Sequence, residues 1–179
     1  YIDVHGTRQT PEWLTMDSTD PRLWSINSLR SRLNGVATKL EGLADAPQGD
    51  FWVRMAAGVR LFGNVLRSCG NFFAVQIIRD RNAKDFDGPA RLPKTQAIET
   101  GHPDLMLLNE IMRDELDNAA ETIDLIRRGG GDLISVAKDA SDEDTFLLGP
   151  DVIAQIERKQ QVMRAHWLDA EDYLFTPNK

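Results

Sequence analysis

Asp50-Phe-Trp-Val-Arg-Met-Ala-Ala-Gly-Val-Arg-Leu-Phe-Gly-Asn-Val-Leu-Arg-Ser-Cys-Gly-Asn-Phe-Phe-Ala-Val-Gln-Ile-Ile-Arg-Asp-Arg81 reads as one long helix, the spine on which the other helices are expected to pack. Val59, Phe62, Leu66, Cys69 and Phe73 recur at steps of three and four, which places them on one face of a helix. A second apolar row, Leu61, Val65, Phe72 and Val75, widens the arc. A helix with so broad an apolar arc is expected to be buried against several neighbours. On that reading, truncating Phe62 or Phe73 to Ala costs about 3–5 kcal/mol. A narrow polar stripe remains: Arg60, Asn64, Arg67 and Asn71. Ala56, Gly63 and Gly70, one heptad apart, are read as sites of close approach by a neighbouring helix.

Outward from this spine, the same periodicity defines three more helices. Pro21 opens one that runs to about Ala44, with Ser18, Thr19 and Asp20 as candidate caps. Its seam is Ile26, Leu29, Leu33, Val36, Leu40 and Leu43. Pro47, Gly49 and Asp50 make the turn into the spine, with Asp50 as the expected cap. Another helix starts near Asp104 and ends at Gly129-Gly130-Gly131, with Leu105, Leu108, Met112, Leu116, Ala119, Ile123 and Ile126 as its seam. The last opens at Gly149-Pro150 and stops before Pro177. Its seam is Ile153, Ile156, Gln160, Met163, Trp167, Ala170 and Leu174. A lone polar residue such as Gln160 in a seam fixes register.

These periods predict an all-α, four-helix bundle spanning residues 20–179, preceded by an extended arm, residues 1–19, that lays Trp13 and Leu14 on the body. A short extra helix is expected near 132–138, before an acidic exposed stretch at 141–144. Residues 82–103 form a long irregular link, broken by Pro89, Pro93 and Pro103. Such a link gives room for a crossover that sets its flanking helices parallel.

The chain of 179 residues carries a net charge of −7. That disfavours nucleic acid and anionic membrane surfaces, both of which are bound through excess Lys and Arg. Arg54, Arg60 and Arg67 interrupt the one candidate membrane stretch, so no membrane insertion is expected. The single cysteine, Cys69, excludes an internal disulfide and a multi-cysteine metal site, and reads as a small core residue. It fits a cytoplasmic chain and is also compatible with export. The chain begins at Tyr1 rather than Met, which fits a trimmed or cleaved start and equally a domain cut from a longer polypeptide.

Two constellations carry candidate chemistry. Arg60 and Arg67, helped by Asn64 and Asn71, have the spacing to clamp a carboxylate or phosphate, with His102 on the neighbouring loop as an acid or base. The alternative is that the stripe faces solvent or pairs with acidic residues elsewhere in the bundle. Glu110, Asp114, Asp117, Glu121 and Asp124 form a continuous acidic ridge on the third long helix, about 200° from its seam at 3.6 residues per turn. Glu-x-x-His, the pair that di-iron bundles require, is absent, and the histidines His5, His102 and His166 lie far apart in sequence; no metal or cofactor is expected. No phosphate loop or nucleophile elbow occurs.

Three readings follow. One is a non-catalytic interaction module, an accessory subunit or a domain of a larger protein, docking through the acidic ridge. A second is a helical appendage of a carbohydrate-active or other metabolic enzyme, with Trp13, Leu14 and Trp24 as its patch. A third is a small-molecule or anion-binding bundle built on the Arg/Asn stripe. Whether the chain is an enzyme is left open by the sequence.

Overall fold

The computed structural model describes residues 21–82, 93–129, 139 and 150–175. The expected arm, its Trp13 and Leu14, the caps Ser18 to Asp20, the short helix at 132–138 and the acidic stretch at 141–144 lie outside the described residues, as does His5. The protein is all-α. Its described elements are α1 (Pro21–Glu41), α2 (Gly49–Asn82), α3 (Lys94–Glu99), α4 (Pro103–Arg127), α5 (Val152–Ala165) and α6 (Trp167–Leu174). No described helix is long and apolar enough to cross a membrane.

The packing runs α1 on α2, α2 on α4 and α4 on α5, with α6 returning to α2. Each successive long pair is antiparallel. Gly70 stands beside Asn27, Gly63 beside Asn34, and Arg60 reaches Glu41, so α1 descends as α2 rises. Asn64 meets Thr122 while Asn71 meets Asp114, which fixes the same opposition between α2 and α4. The crossover that would have set the flanking helices parallel is therefore not adopted, and part of the supposedly irregular link is helix α3.

Ala56, Gly63 and Gly70 are all buried on the α1 side of α2. A methyl group added at Gly63 would come 3.3 Å from Asn34 Oδ1, so the small side chains do set the approach of α1. The turn between α1 and α2 is tighter still. Gln48 takes a left-handed φ of 65°, and a Cβ at Gly49 would fall 1.8 Å from the Ala44 carbonyl oxygen. Asp50 consequently lies inside the first helical turn, where it complements the helix dipole, rather than capping it.

The core sits where α2, α3, α4 and the chain after α6 meet. Ile78, Ala97, Leu105, Leu108, Ile111, Met112 and Phe175 are buried together, with Val75, Met163, Trp167 and Ala170 packed around them. The last long helix bends in two at His166 (φ −108°, ψ 21°), and a 2.6 Å contact between His166 Nδ1 and Asp169 Oδ2 ties the bend. Gln160 is buried and donates to the Leu116 carbonyl at 3.1 Å. Trp167 donates its ring N–H to Asn109 Oδ1 at 2.7 Å.

The spine is not buried on the face its periodicity predicts. Phe62 and Val65 are 52% and 56% exposed, and Cys69 and Phe73 are only half-buried. The reason lies in α1. It meets α2 through Asn27, Asn34 and Glu41 with only the edge of its apolar seam, at Ile26, while Leu29, Val36 and Leu43 of that seam are exposed. The apolar rows Ile26, Leu33, Val36 and Leu40 on α1, and Met55, Phe62 and Cys69 on α2, each fall one residue before a residue on the helix–helix contact line. One residue is about 100° of rotation. In an antiparallel pair the two rotations are mirror-related, so both rows turn to the same side.

Candidate functional site

Three places concentrate chemistry: the polar seam inside the helix stack, the apolar face of the α1–α2 hairpin, and a cavity between α2, α4, α5 and α6.

The predicted stripe of α2 forms the seam. Arg60 donates from Nε and Nη2 to Glu41 of α1 at 2.6 and 2.7 Å. Arg67 does the same to Asp114 of α4, at 2.9 and 2.5 Å, with Glu121 at 3.3 Å. Asn71 donates to Asp114 and Glu115, and Asn64 donates to Thr122 at 3.1 Å. Such two-point guanidinium–carboxylate contacts hold orientation as well as charge. The hydrogen bond from Arg60 holds the Glu41 carboxyl below its usual range; that from Arg67, aided by Asn71, does so for Asp114. The same bonds raise Arg60 and Arg67 further. Both guanidiniums thus engage carboxylates of their own chain.

The acidic ridge divides accordingly. Asp114 and Glu121 turn toward Arg67, Asp124 pairs with Arg128, the residue that caps the end of α4, and Glu110, Asp117, Glu121 and Asp124 are exposed. His102 is not free on a loop. Its Nδ1 accepts the Asp104 N–H at 3.3 Å as the cap of α4, and its ring meets Phe175 edge-on at 5.4 Å. Among the described residues no group of His, Cys, Asp and Glu is placed to hold a metal ion. The side chain of Trp24, with Trp13 and Leu14, lies outside the described side chains.

Sequence reading missed the middle of the seam. Glu115 is buried and accepts from Ser68 Oγ at 2.5 Å, from Asn71 at 2.8 Å, and from Lys159 of α5. Asn118 donates to the Asn64 carbonyl and to Ser68, each at 3.0 Å. The signal was there. Asn64, Ser68 and Asn71 on α2 step by four and three, and Glu115, Asn118 and Thr122 on α4 step by three and four. Two polar rows of matching period on antiparallel helices face each other.

Beside this seam opens a cavity of about 720 Å³. Phe72, Val75, Leu108, Ile111, Met112 and Met163 form apolar walls, and exposed Lys159, Val162, His166 and Asp169 stand at its mouth. Gln76 lines it while only 3% exposed, and no hydrogen bond engages its side chain among the described residues. On the far side of α2, Leu29, Val36, Leu43, Met55, Phe62 and Val65 make the apolar face, with Arg32 and Lys39 exposed along its α1 edge. Comparison with protein-family models, with curated proteins and with solved structures finds no match for this chain.

Proposed function

We propose that this chain is a non-catalytic helical docking module that receives its partner on the α1–α2 face. The observation that carries this is the joint exposure of Leu29, Val36, Leu43, Met55, Phe62 and Val65 on one side of an antiparallel hairpin. Scattered exposed apolar residues are ordinary, but a contiguous patch marks an interaction surface. The spacing also matters. Met55, Phe62 and Val65, and Leu29, Val36 and Leu43, repeat in threes and sevens, the pattern that accepts a further helix.

Charge indicates what kind of helix. Residues 21–82 hold nine Lys and Arg against four Asp and Glu, a net of +5 within a chain of net −7. Arg32 and Lys39 stand three residues after Leu29 and Val36, at the border of the apolar row. The fitting partner is an amphipathic helix whose apolar stripe is bordered by carboxylates. The acidic ridge is less suited to lead, because Arg67 already engages Asp114 and Glu121.

The test uses two labelled synthetic helices, each with a leucine heptad stripe, one bordered by glutamates and the other by lysines. Fluorescence anisotropy should show the glutamate helix binding the chain, more weakly as salt rises. Val36→Lys and Phe62→Lys should each weaken that binding at least tenfold, with circular dichroism unchanged. Equal binding of both helices, or binding indifferent to both substitutions, would overturn the reading. Concentration-dependent dimerisation of the chain alone, lost in Phe62→Lys, would assign the face to a second copy instead.

A further inference from the structure

We infer that the cavity between α2, α4, α5 and α6 binds one uncharged, largely apolar small molecule, whose carbonyl or hydroxyl group pairs with Gln76. None of the residues that line it belongs to the docking face, so this site stands independently of the docking reading.

Size and lining come first. About 720 Å³ lies inside the range of pockets that enclose a drug-sized molecule, and such pockets are mostly apolar with a few placed polar groups. Met112 and Met163 give the wall unbranched, polarisable side chains that adapt to an irregular ligand.

Gln76 supplies the polar point. The one fully buried side-chain N or O atom without a partner among the described residues is Asn118 Oδ1, so the Gln76 amide keeps its contact with solvent through the cavity. Here the amide borders the cavity and has no partner among the described residues. A ligand carbonyl can accept from its N–H, and a ligand hydroxyl can donate to its oxygen.

The charges on the wall select against ions. Lys159 is held by Glu115, His166 contacts Asp169, and Arg79 is also engaged. An anionic ligand would have to displace a carboxylate from its cation. A cationic one would enter an apolar cavity whose carboxylates are already engaged, Glu115 by Ser68, Asn71 and Lys159 and Asp169 by His166. A neutral molecule meets neither obstacle.

The experiment titrates the whole chain with Nile red, an uncharged apolar fluorophore with a ring carbonyl, and follows its emission. The expected result is saturable binding at one site per chain. Val162→Trp at the exposed mouth should weaken it at least tenfold with the melting curve preserved. Gln76→Leu should weaken it about tenfold, the weight of one hydrogen bond to a buried amide. Phe62→Lys, on the docking face, should leave it unchanged, and palmitate should not compete. Non-saturable binding, indifference to both Val162→Trp and Gln76→Leu, or loss in Phe62→Lys would each overturn the site. Competition by palmitate that vanishes in Val162→Trp would overturn the uncharged ligand class.

Discussion

Arg67 on α2 holds Asp114 on α4 at two points, Nε to Oδ2 at 2.9 Å and Nη2 to Oδ1 at 2.5 Å. This clamp joins the two central helices through charge, alongside the hydrocarbon contacts of Ile78 with Leu108 and Met112. It has a pH signature. The hydrogen bond from Arg67 depresses the folded-state pKa of Asp114 below its value in the unfolded chain. Its stabilisation is therefore complete above the ordinary aspartate range and is lost as pH falls through the lower folded value. Asp114→Asn should lower stability by about 1 kcal/mol at neutral pH, a modest figure because the carboxylate is partly exposed. The gap between variant and wild type should close on acidification below pH ~4, near the aspartate model value. A gap that stays constant in denaturant titrations down the acid range would show that the clamp is not the source.

Phe62 and Phe175 should separate sharply on truncation. Phe175 is fully buried among Ile78, Leu105 and Leu108, so Phe175→Ala should cost about 3–5 kcal/mol. Phe62 is half-exposed, and Phe62→Ala should cost under about 1 kcal/mol in the isolated chain. Thermal or urea unfolding of both variants gives the comparison, and similar losses would mean the spine is buried as its periodicity predicts.

Gly49→Ala should be among the most damaging small substitutions in the chain. The added Cβ would sit 1.8 Å from the Ala44 carbonyl oxygen, which is backbone and cannot swing away. A loss of at least about 2 kcal/mol is expected, read as a lowered urea midpoint at unchanged slope. A neutral outcome would mean that the α1–α2 turn is built differently.

Gln76→Leu should change the stability of the ligand-free chain by less than about 1 kcal/mol, because the amide has no partner among the described residues and meets solvent in the cavity. Unfolding of the apo protein measures this. A variant destabilised beyond that would reveal a hydrogen bond to Gln76 and would remove the reason for its place in the cavity.

The ends of α2 and the start of α4 were legible because local signals mark them, whereas α3 and the break at His166 were not. Pro21 and Pro103 open helices and Gly129 follows the end of α4, and the α2 range differs from the expected one by one residue at each end. What did not follow from periodicity was which face of α2 and α1 turns inward. Periodicity says which residues share a face, not what covers it. Here small and polar residues, Gly63, Gly70, Asn27 and Asn34, take the contact line, and the larger apolar rows turn outward. The acidic ridge was legible as a ridge, yet its partner Arg67 was read separately because the two lie 47 residues apart. The cavity had no sequence signal at all. It arises from the bend at His166 and the convergence of four helices, and Gln76 is conspicuous only once its surroundings are known.

The seam between α2 and α4 is wettable. When residues 114–122 of α4 lift from α2, they expose guanidinium, carboxylate, amide and hydroxyl groups for which water is an adequate substitute. Parting helices joined by leucines would instead lay bare oil. The molecule therefore has a grain, like wood, along which it splits before its core melts. Amide hydrogen exchange should be fastest, for buried positions, around Ser68 and Asn118, and slowest around Ile78, Leu108 and Met112, where hydrocarbon closes the stack.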